Sequence, residues 1–371
     1  MKELLKNLIQ ADTTFGKGEL HAAKVLQEYF TRNLIESEID CWEQTRANIV
    51  AHVKGSGEKP SLLFVSHLDV VPPGESKWKY PAFSATEENG KIFGRGSADM
   101  KGSIAAAAAA IAQIVSCGEK LKGDIILAAV AGEETDSCGA KRFTEKYINK
   151  LSKTAGVIVN EPTDFGVITA HRGLLWVEVI TKGKTAHGSM PHLGINAIKS
   201  MRDFLDELEN YNLGNTNDEV LGKASMSINT IEGGKAINVV PDECRTKIDI
   251  RTLPGQKHED IINDFKKMFA KLKAKKSDFN ADISIVRSTE GLKAQNDSEF
   301  VRRFCAVVGC QQTKTAGFCT DGPYLSRLGL PVVIFGPGKC ELCHQPDEYI
   351  EIEDLQKAVE YYKKIIRQFL L

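Results

Sequence analysis

The sequence has almost no excess of charge of either sign. It contains 48 lysine and arginine residues against 49 aspartate and glutamate residues, which gives a formal net charge of −1. Such a chain creates no overall field that would attract nucleic acid or an anionic membrane surface. We therefore expect neither nucleic acid nor a membrane as a partner.

The long apolar segments of membrane and exported proteins are also missing. We expect no membrane-spanning helix, because the apolar stretches fall short of the roughly 20 residues that one needs. The first residues, MKELLKNLIQADT, predict an amphipathic helix without the continuous apolar core of a signal peptide. The nine cysteines are an odd number and look scattered along the chain. Together these features favour reduced thiols and a cytoplasmic location.

What is present is an alternation of strand-like and helical segments. A length of 371 residues suggests two domains, or one large domain with an insertion. In the first half, apolar runs such as SLLFVSHLDV and DIILAAVAGEE alternate with helical patterns such as KGSIAAAAAAIAQIVSCG. This order is typical of an α/β fold in which helices cover a mostly parallel sheet.

Near residue 173 the pattern changes. The segments that follow, from LLWVEVITKG to ADISIVR, have the order β-α-β-β-α-β, which matches a ferredoxin-like α+β unit. Further helical and strand patterns then resume as in the first half. We therefore predict a first domain formed by residues 1–172 and 288–371, into which a second domain formed by residues 173–287 is inserted.

The strand SLLFVSHLDV ends with His67 and Asp69 two residues apart. Residues i and i+2 of a strand point to the same side, so these two side chains are expected to lie next to each other. Ligands of open α/β sheets bind at the carboxyl ends of the strands. A histidine that binds a metal is commonly oriented by a carboxylate at its second ring nitrogen, and His67 with Asp69 supplies both groups.

Other acidic and imidazole groups follow further predicted strands or precede the next helix. They are Asp99 in GRGSADMKG, Glu133 and Glu134 in AVAGEE, Glu161 in VIVNEP and His344 in CHQPDEY. Clustered carboxylates repel each other unless a cation neutralises them. Mixed imidazole and carboxylate ligands suit zinc, cobalt or manganese. Of two adjacent glutamates, one can bind metal while the other transfers a proton.

Two other interpretations of these segments stay open. GRGSADMKG is glycine-rich and could form a nucleotide loop, although it has neither the GxxxxGK[ST] order nor the GxGxxG spacing. Cys138 could be a nucleophile, although no base adjoins it in the sequence and a buried thiol is the simpler interpretation.

In this order the segments resemble the M20 family of metallopeptidases and deacylases, and the resemblance covers essentially the whole chain. The matching segments are SHLDVVPPGESKWKYPAFSATEENGKIFGRGSADMKG, AGEETDSCGA, NEPT, TAHGSMPHLGINAI, INVVPDECRTKIDIRTLPG and GPGKCELCHQPDEYIE. The resemblance implies two Zn²⁺ ions per subunit, with Co²⁺ as the alternative metal. The implied ligands are His67 and Glu161 for one ion, Glu134 and His344 for the other, and Asp99 for both.

The resemblance also implies roles for residues that bind no metal. Asp69 would orient His67, and Glu133 would act as the general base and acid. The inserted domain would act as a lid and carry a homodimer interface. A histidine of that domain, matched here by His187, would reach the active site of the partner subunit.

Three more residues match substrate-binding positions of the family. Asn238 in INVVP and Arg251 in DIRTLPG would hold the substrate carboxylate or the carbonyl oxygen. Arg172 in HRG is a further candidate at the domain junction.

The expected reaction is hydrolysis of the amide bond of an N-acyl amino acid or a short peptide. GPGKCELCHQPDEYIE and FCTDGPYL resemble deacetylase-like members most, so we rank N-acetylornithine first and N-succinyl-diaminopimelate second. A dipeptidase or general aminoacylase is third. A non-catalytic metal-binding scaffold is the alternative of a different class, but Glu133 and the full ligand set argue against it.

Overall fold

The computed structural model describes residues 1–151, 153–214, 216–293 and 295–371. The chain divides into two compact units. The first unit contains Met1–Thr169, Ala294–Thr315 and Thr320–Leu371, and the second contains Ala170–Lys293 and Ala316–Cys319. The second unit thus begins before residue 173 and extends past residue 287, because His171 and Leu292 exchange main-chain hydrogen bonds of 3.2 and 3.0 Å.

The strands are β1 (Glu36–Trp42), β2 (Arg46–Val53), β3 (Ser61–His67), β4 (Thr86–Glu88), β5 (Lys91–Phe93), β6 (Ile125–Val130), β7 (Thr154–Val159), β8 (Ile168–His171), β9 (Gly173–Lys182), β10 (Asn217–Asp218), β11 (Gly222–Lys223), β12 (Ser225–Gly233), β13 (Glu243–Thr252), β14 (Asn280–Thr289), β15 (Lys314–Ala316), β16 (Val332–Ile334) and β17 (Tyr349–Glu351). The α-helices are α1 (Lys2–Gln10), α2 (Leu20–Arg32), α3 (Gly102–Ser116), α4 (Cys138–Tyr147), α5 (Ala197–Glu209), α6 (His258–Lys275), α7 (Glu299–Val308), α8 (Gly322–Ser326) and α9 (Ile352–Leu370).

A mixed sheet with the strand order β1-β2-β6-β3-β7-β16-β8-β15 is the largest sheet of the described residues. Its centre is parallel, because β3 pairs in parallel with both β6 and β7, and β16 pairs in parallel with β7. Its flanks are antiparallel at β1–β2, β2–β6 and β16–β8. The predicted α/β class is confirmed, and the parallel centre brings the carboxyl ends of β6, β3 and β7 to one edge.

Helix α3 lies in the core of the first unit and packs against α9. Its alanines from Ala105 to Ala110 are all buried, at most 3% exposed. Alanine is the best helix former and carries only one side-chain carbon, so a run of it gives a thin helix that neighbours can approach closely. The helical pattern KGSIAAAAAAIAQIVSCG thus forms a buried, tightly packed helix.

The expectation that no segment is long and apolar enough to span a membrane needs a correction. The helical segment Ser97–Ser116 reaches a mean hydropathy of 1.2 in its best window, which is sufficient by length and composition. However, 83% of that window is buried within the protein, as in the core helix of a globular domain. The alanine run accounts for this result, because alanine raises hydropathy without adding a large apolar side chain.

The second unit is a four-stranded antiparallel sheet with the order β12-β13-β9-β14, against which α5 and α6 pack. Its first, second, third and fourth strands along the chain are β9, β12, β13 and β14, so the ferredoxin-like β-α-β-β-α-β order is confirmed. Buried and more exposed residues alternate along β13, and the buried ones include Ile248. They join Val177, Phe204 and Phe265 in the core of this unit.

Candidate active site

Three neighbouring parallel strands end at the same edge of the first unit, and a candidate site residue lies at or just beyond the end of each. His67 is the last residue of β3. Glu133 and Glu134 follow β6, which ends at Val130, and Glu161 follows β7, which ends at Val159. Because these strands are adjacent in the sheet, their carboxyl ends bring the side chains together. Asp99 joins them from the segment that precedes α3, and its peptide bond to Met100 is cis.

Two groups of potential ligand atoms form at this edge, and in each group the atoms lie within 4.8 Å of one another. The first ligand group consists of His67, Asp99 and Glu161. His67 Nε2 is 3.0 Å from Asp99 Oδ1 and 3.8 Å from Glu161 Oε2. This group is nearly closed to solvent, since the His67 side chain is only 2% exposed.

The second ligand group consists of Asp99, Glu134 and His344. His344 Nε2 is 3.0 Å from Glu134 Oε1 and 3.4 Å from Asp99 Oδ2. Asp99 therefore offers one carboxylate oxygen to each group. The side chain of His344 is 49% exposed, so solvent reaches the cluster from the side of the second group.

The carboxylates of this cluster lie in surroundings that disfavour their charge. Burial raises the pKa values of Glu133 and Glu161 well above the usual glutamate value, and neighbouring carboxylates add to the effect. Burial, with the charge of Asp99, also raises the pKa of Glu134. Hydrogen bonds to Asp99 and Glu134 raise the pKa of His344 to about 10.

His67 and Asp99 are shifted in the opposite sense from what burial alone would produce. Burial disfavours the imidazolium of His67, but Glu161 and Asp99 outweigh it and raise the pKa of His67 well above its usual value. Burial likewise disfavours the charged form of Asp99, but hydrogen bonds from His344 and His67 lower the pKa of Asp99. The cluster thus attracts positive charge, and its imidazole and carboxylate donors fit a pair of divalent ions such as Zn²⁺, Co²⁺ or Mn²⁺.

Asp69 contacts His67 in a different way from the one expected. The Nδ1 atom of His67 is 2.9 Å from the main-chain oxygen of Asp69 and 3.7 Å from its carboxylate. The carboxylate instead accepts hydrogen bonds from the main-chain N–H groups of Gly132, Glu133 and Glu134, at 2.8, 3.1 and 3.0 Å. The Asp69 side chain therefore fixes the turn that carries both glutamates, while its carbonyl group orients the imidazole.

Glu348 and Arg95 support the site, and the sequence alone did not single them out. Glu348 Oε1 accepts hydrogen bonds from the main-chain N–H groups of Ala98 and Asp99, at 2.9 and 3.1 Å. Glu348 Oε2 is 2.5 Å from Arg95 Nη1, and both side chains are buried. This ion pair fixes the segment that presents Asp99 to both ligand groups.

The predicted substrate residues lie in the second unit, and the structure places them in two pairs. His187 and Asn238 are close together, because His187 forms a bridge with Val239 and Gly188 N–H donates to Asn238 O at 2.7 Å. These residues lie beyond the Lys182 end of β9. The side chains of both are exposed.

Arg172 and Arg251 lie at the other end of β9. Arg172 directly precedes this strand, and Arg251 pairs with Leu174. Ten residues of strand separate the two ends, a length of about 30 Å. The Arg251 guanidinium forms two hydrogen bonds with Asp249, at 2.9 and 3.1 Å. Arg172 Nε and Nη2 donate to the carbonyl oxygen of Leu221 at 3.0 and 2.5 Å.

Comparison with known protein families gives a match over most of the chain. Residues 63–368 match the family described as Peptidase family M20/M25/M40. The chain belongs to peptidase family M20/M25/M40. The site described above lies within this matched range, including the ligand groups and the turn fixed by Asp69.

Two curated members of the M20 family are similar over most of their length. The acetylornithine deacetylase of Myxococcus xanthus is 32% identical over 330 residues, which cover 87% of this chain and 84% of that protein. The probable succinyl-diaminopimelate desuccinylase of Staphylococcus aureus (strain N315) is 30% identical over 408 aligned positions, covering 99% of this chain and 97% of that protein.

Solved structures of M20 members share the fold. The M20 family metallo-carboxypeptidase of Sulfolobus solfataricus has a TM-score of 0.83 at 21% identity, covering 99% of this chain and 98% of that chain. A Bacillus subtilis protein described as a dinuclear metal binding peptidase from the M20 family has a TM-score of 0.70 at 17% identity. That match covers 98% of this chain and 96% of the other.

The buried Arg95–Glu348 pair makes a testable contribution to the stability of this M20 protein. Replacing Glu348 with alanine is expected to reduce the free energy of unfolding by about 3–5 kcal/mol, because it leaves Arg95 buried without its counter-charge. The measurement is urea unfolding of the variant followed by circular dichroism. Glu28→Ala is the matched control, since Glu28 pairs with Arg32 at 3.2 Å on an exposed helix surface. Its expected cost is below about 1 kcal/mol, and equal losses in the two variants would contradict the prediction.

Proposed function

We propose that this protein is a cytoplasmic, metal-dependent hydrolase that cleaves the amide bond of an N-acyl amino acid. Its first candidate reaction is the conversion of N-acetylornithine to ornithine and acetate. The observation that carries the proposal is the pair of ligand groups that share Asp99, with Glu133 next to one of the ligands. The first unit would be the catalytic domain and the second unit the lid and dimerisation domain.

The proposed cofactor is a pair of Zn²⁺ ions, with Co²⁺ as the alternative. His67 and Glu161 would hold one ion, Glu134 and His344 the other, and Asp99 both. Such ions polarise a carbonyl group and lower the pKa of water when they are bound.

Glu133 is the proposed proton carrier. Its main-chain N–H is bound to Asp69, and its side chain is buried next to the ligand Glu134. Burial keeps its pKa above the usual glutamate value, which brings the carboxylate closer to the basicity that a general base needs near neutral pH. Glu133 would take a proton from the attacking water and return it to the nitrogen of the leaving amine.

His187 is proposed to donate a hydrogen bond to the oxyanion of the tetrahedral intermediate. The main-chain N–H of Ser189 points to Nδ1 of His187 at 3.2 Å, and Ser189 Oγ lies 2.7 Å from the same atom. Because Nδ1 accepts from Ser189, the proton of the neutral ring lies on Nε2. The exposed Nε2–H is therefore a ready donor, and a donor of this kind contributes about 100- to 1000-fold in turnover.

The remaining substrate contacts are assigned to Asn238, Arg251 and Arg172, which would hold the substrate carboxylate or carbonyl oxygen. The two ends of β9 are about 30 Å apart. His187 and Arg251 of a single copy of the second unit therefore could not both contact one small substrate. In a homodimer, one subunit could supply Arg251 and its partner His187 to the same substrate. This supports the proposal of a homodimer.

The edge strand β12 offers a surface for that dimer. It lies at one edge of the sheet, in the order β12-β13-β9-β14, and most of its residues are exposed. Ile228 and Ile231 on this strand are 44% and 56% exposed, and Ile237 in the loop that follows is fully exposed. An unpaired edge with apolar side chains favours pairing with a second copy.

The choice of acyl group is the finest part of the proposal. The deacetylase and desuccinylase relatives are similar to this chain at 32% and 30% identity. A few side chains determine this specificity on a shared fold. Succinyl-diaminopimelate desuccinylase therefore stands as the second candidate, and a dipeptidase or general aminoacylase as the third.

A substrate panel tests the proposed reaction. The purified protein is incubated with Zn²⁺ or Co²⁺ and N-acetylornithine, N-succinyl-diaminopimelate, other N-acyl amino acids or dipeptides. The release of primary amine is then measured. We expect the highest kcat/KM for N-acetylornithine. Faster cleavage of the succinyl substrate would exchange the first two candidates, whereas bound metal without hydrolysis of any substrate would support a scaffold role instead.

A further inference from the structure

Two cysteines lie within four residues before the candidate ligand His344, in the order Cys340-Glu341-Leu342-Cys343-His344. The cysteines of this chain are therefore not all scattered, because Cys340 and Cys343 form a C-x-x-C pair. Such a pair in a protein of a reducing compartment is typical of redox or metal chemistry rather than of a structural disulfide.

The local fold brings the two thiols together. Residues Cys340–Leu342 form a turn of 3₁₀-helix, and Cys343 N–H donates to Cys340 O at 3.1 Å. A turn closed by this hydrogen bond holds its first and fourth Cα atoms within about 7 Å. A disulfide needs a Cα separation of roughly 4.4–6.8 Å. The turn therefore holds the two cysteines at a Cα separation compatible with a disulfide.

The two thiols differ in their exposure to solvent. Cys340 is exposed, whereas Cys343 is half-buried and its Sγ lies 3.6 Å from the carbonyl oxygen of Lys339. A dissolved reactant therefore reaches Cys340 first. Cys343 stands next to it as the thiol that completes the exchange.

We propose that Cys340 and Cys343 are a reversible dithiol modification site whose reactant is a low-molecular-weight disulfide, and that its oxidation displaces His344 from the second ligand group. The thiolate of Cys340 attacks the reactant disulfide, forms a mixed disulfide and releases one small thiol. Cys343 then attacks Cys340 Sγ and releases the second small thiol. The protein loses two electrons and two protons, and the two small thiols formed from the reactant disulfide take them up.

Oxidation affects His344 because the adjacent residue, Cys343, forms the disulfide bond. The sulfur atoms must approach to about 2.05 Å, with a dihedral angle near 90°, so the Cys343 side chain and main chain readjust. His344 already has a φ of 64°, in the left-handed region that few residues other than glycine adopt. Metal ligands tolerate only about 0.2 Å of error in distance, so a small displacement of this imidazole weakens the second ligand group.

Two other uses of the motif fit the structure less well. A metal bound by the thiols is not supported, because neither of the ligand groups found among the described residues includes a cysteine. C-x-x-C-H is also the attachment pattern of c-type haem, in which the histidine binds the haem iron. Here His344 Nε2, the atom that would bind the haem iron, lies 3.0 Å from Glu134 and 3.4 Å from Asp99 and so already faces two carboxylates.

Oxidation of the metal-loaded protein by oxidised glutathione tests the proposal. We expect an intramolecular disulfide, seen as a loss of about two mass units in the intact protein and as a Cys340–Cys343 link in peptide mapping. The part concerning His344 rests on the proposed metal pair. For that part we expect the affinity for the more weakly held ion to fall about 10- to 100-fold, measured by elemental analysis after dialysis, and to recover on reduction.

Matched variants make the result specific. Cys340→Ser and Cys343→Ser should bind metal as the reduced protein does and keep it under oxidation. Cys305→Ser/Cys310→Ser removes another pair of cysteines that a main-chain hydrogen bond of 2.9 Å holds together at the end of α7, and it should leave the response unchanged. Glutathione that stays attached to Cys340, a disulfide that leaves metal content unchanged, or metal loss that persists in Cys340→Ser would each overturn the proposal. If the reduced protein bound no metal, the proposed pair of metal ions would be wrong. Peptide mapping would still decide whether the disulfide forms.

Discussion

Replacing Glu133 with glutamine is expected to lower kcat about 100- to 10,000-fold, the range that general acid–base catalysis contributes. Glutamine keeps the size of the side chain and the main-chain N–H that binds Asp69, but it cannot carry a proton. The metal content should remain that of the unaltered protein, because Glu133 belongs to neither ligand group. The measurements are steady-state kinetics with the best substrate of the panel and elemental analysis of the same sample.

Two neighbouring substitutions are controls for this result. Glu134→Gln alters a member of the second ligand group, so it should reduce the metal content as well as kcat. Asp136→Asn makes the same chemical change at an exposed residue and should leave kcat within about twofold, because an amide oxygen can still accept the hydrogen bond from Cys138 N–H. Near-normal turnover of Glu133→Gln would show that another group carries the proton.

Replacing Asp99 with alanine is expected to remove both metal ions together. Asp99 directs one carboxylate oxygen towards His67 and the other towards His344, so its loss takes a ligand from each group. Each affinity should fall by more than about 100-fold, since even residues that only support a ligand contribute 10- to 100-fold. Elemental analysis after dialysis against micromolar metal measures the effect, and hydrolysis should fall below detection.

Glu161→Gln is the control that distinguishes the loss of one metal ion from the loss of both. Glu161 belongs to the first ligand group alone, so its replacement should weaken one ion and leave the other bound. Glu348 binds the main-chain N–H of Asp99 rather than its side chain, so the turn that carries residue 99 should remain in the alanine variant. If Asp99→Ala kept one tightly bound ion, the carboxylate would serve only one group and the paired site would be wrong.

Several parts of this architecture follow from the sequence because they depend on local patterns. Continuous apolar runs and their flanking residues predict β3, β6 and β7. The rule that parallel strands end at one edge then places His67, Glu134 and Glu161 together. The β-α-β-β-α-β order of the second unit is likewise a local pattern. The sequence did not predict the antiparallel strand β1, the short strands β4, β5, β8, β10, β11, β15 and β17, or the helices α2 and α8. Strands of two to four residues and edge strands leave little periodic signal.

The sequence by itself determined the class of the fold, the β-α-β-β-α-β order of the second unit and the residues that have the right chemistry to hold a pair of metal ions. Only the tertiary structure decided how these residues are supported. The Asp69 carboxylate binds a turn 63 to 65 residues away, and Glu348 binds Arg95 across 253 residues. A buried polar group must find a partner wherever the folded chain supplies one, and periodicity along the chain does not encode that partner. Strand ends could therefore be predicted from local patterns, whereas the hydrogen bonds that fix Glu133, Glu134 and Asp99 depend on contacts that exist only after folding.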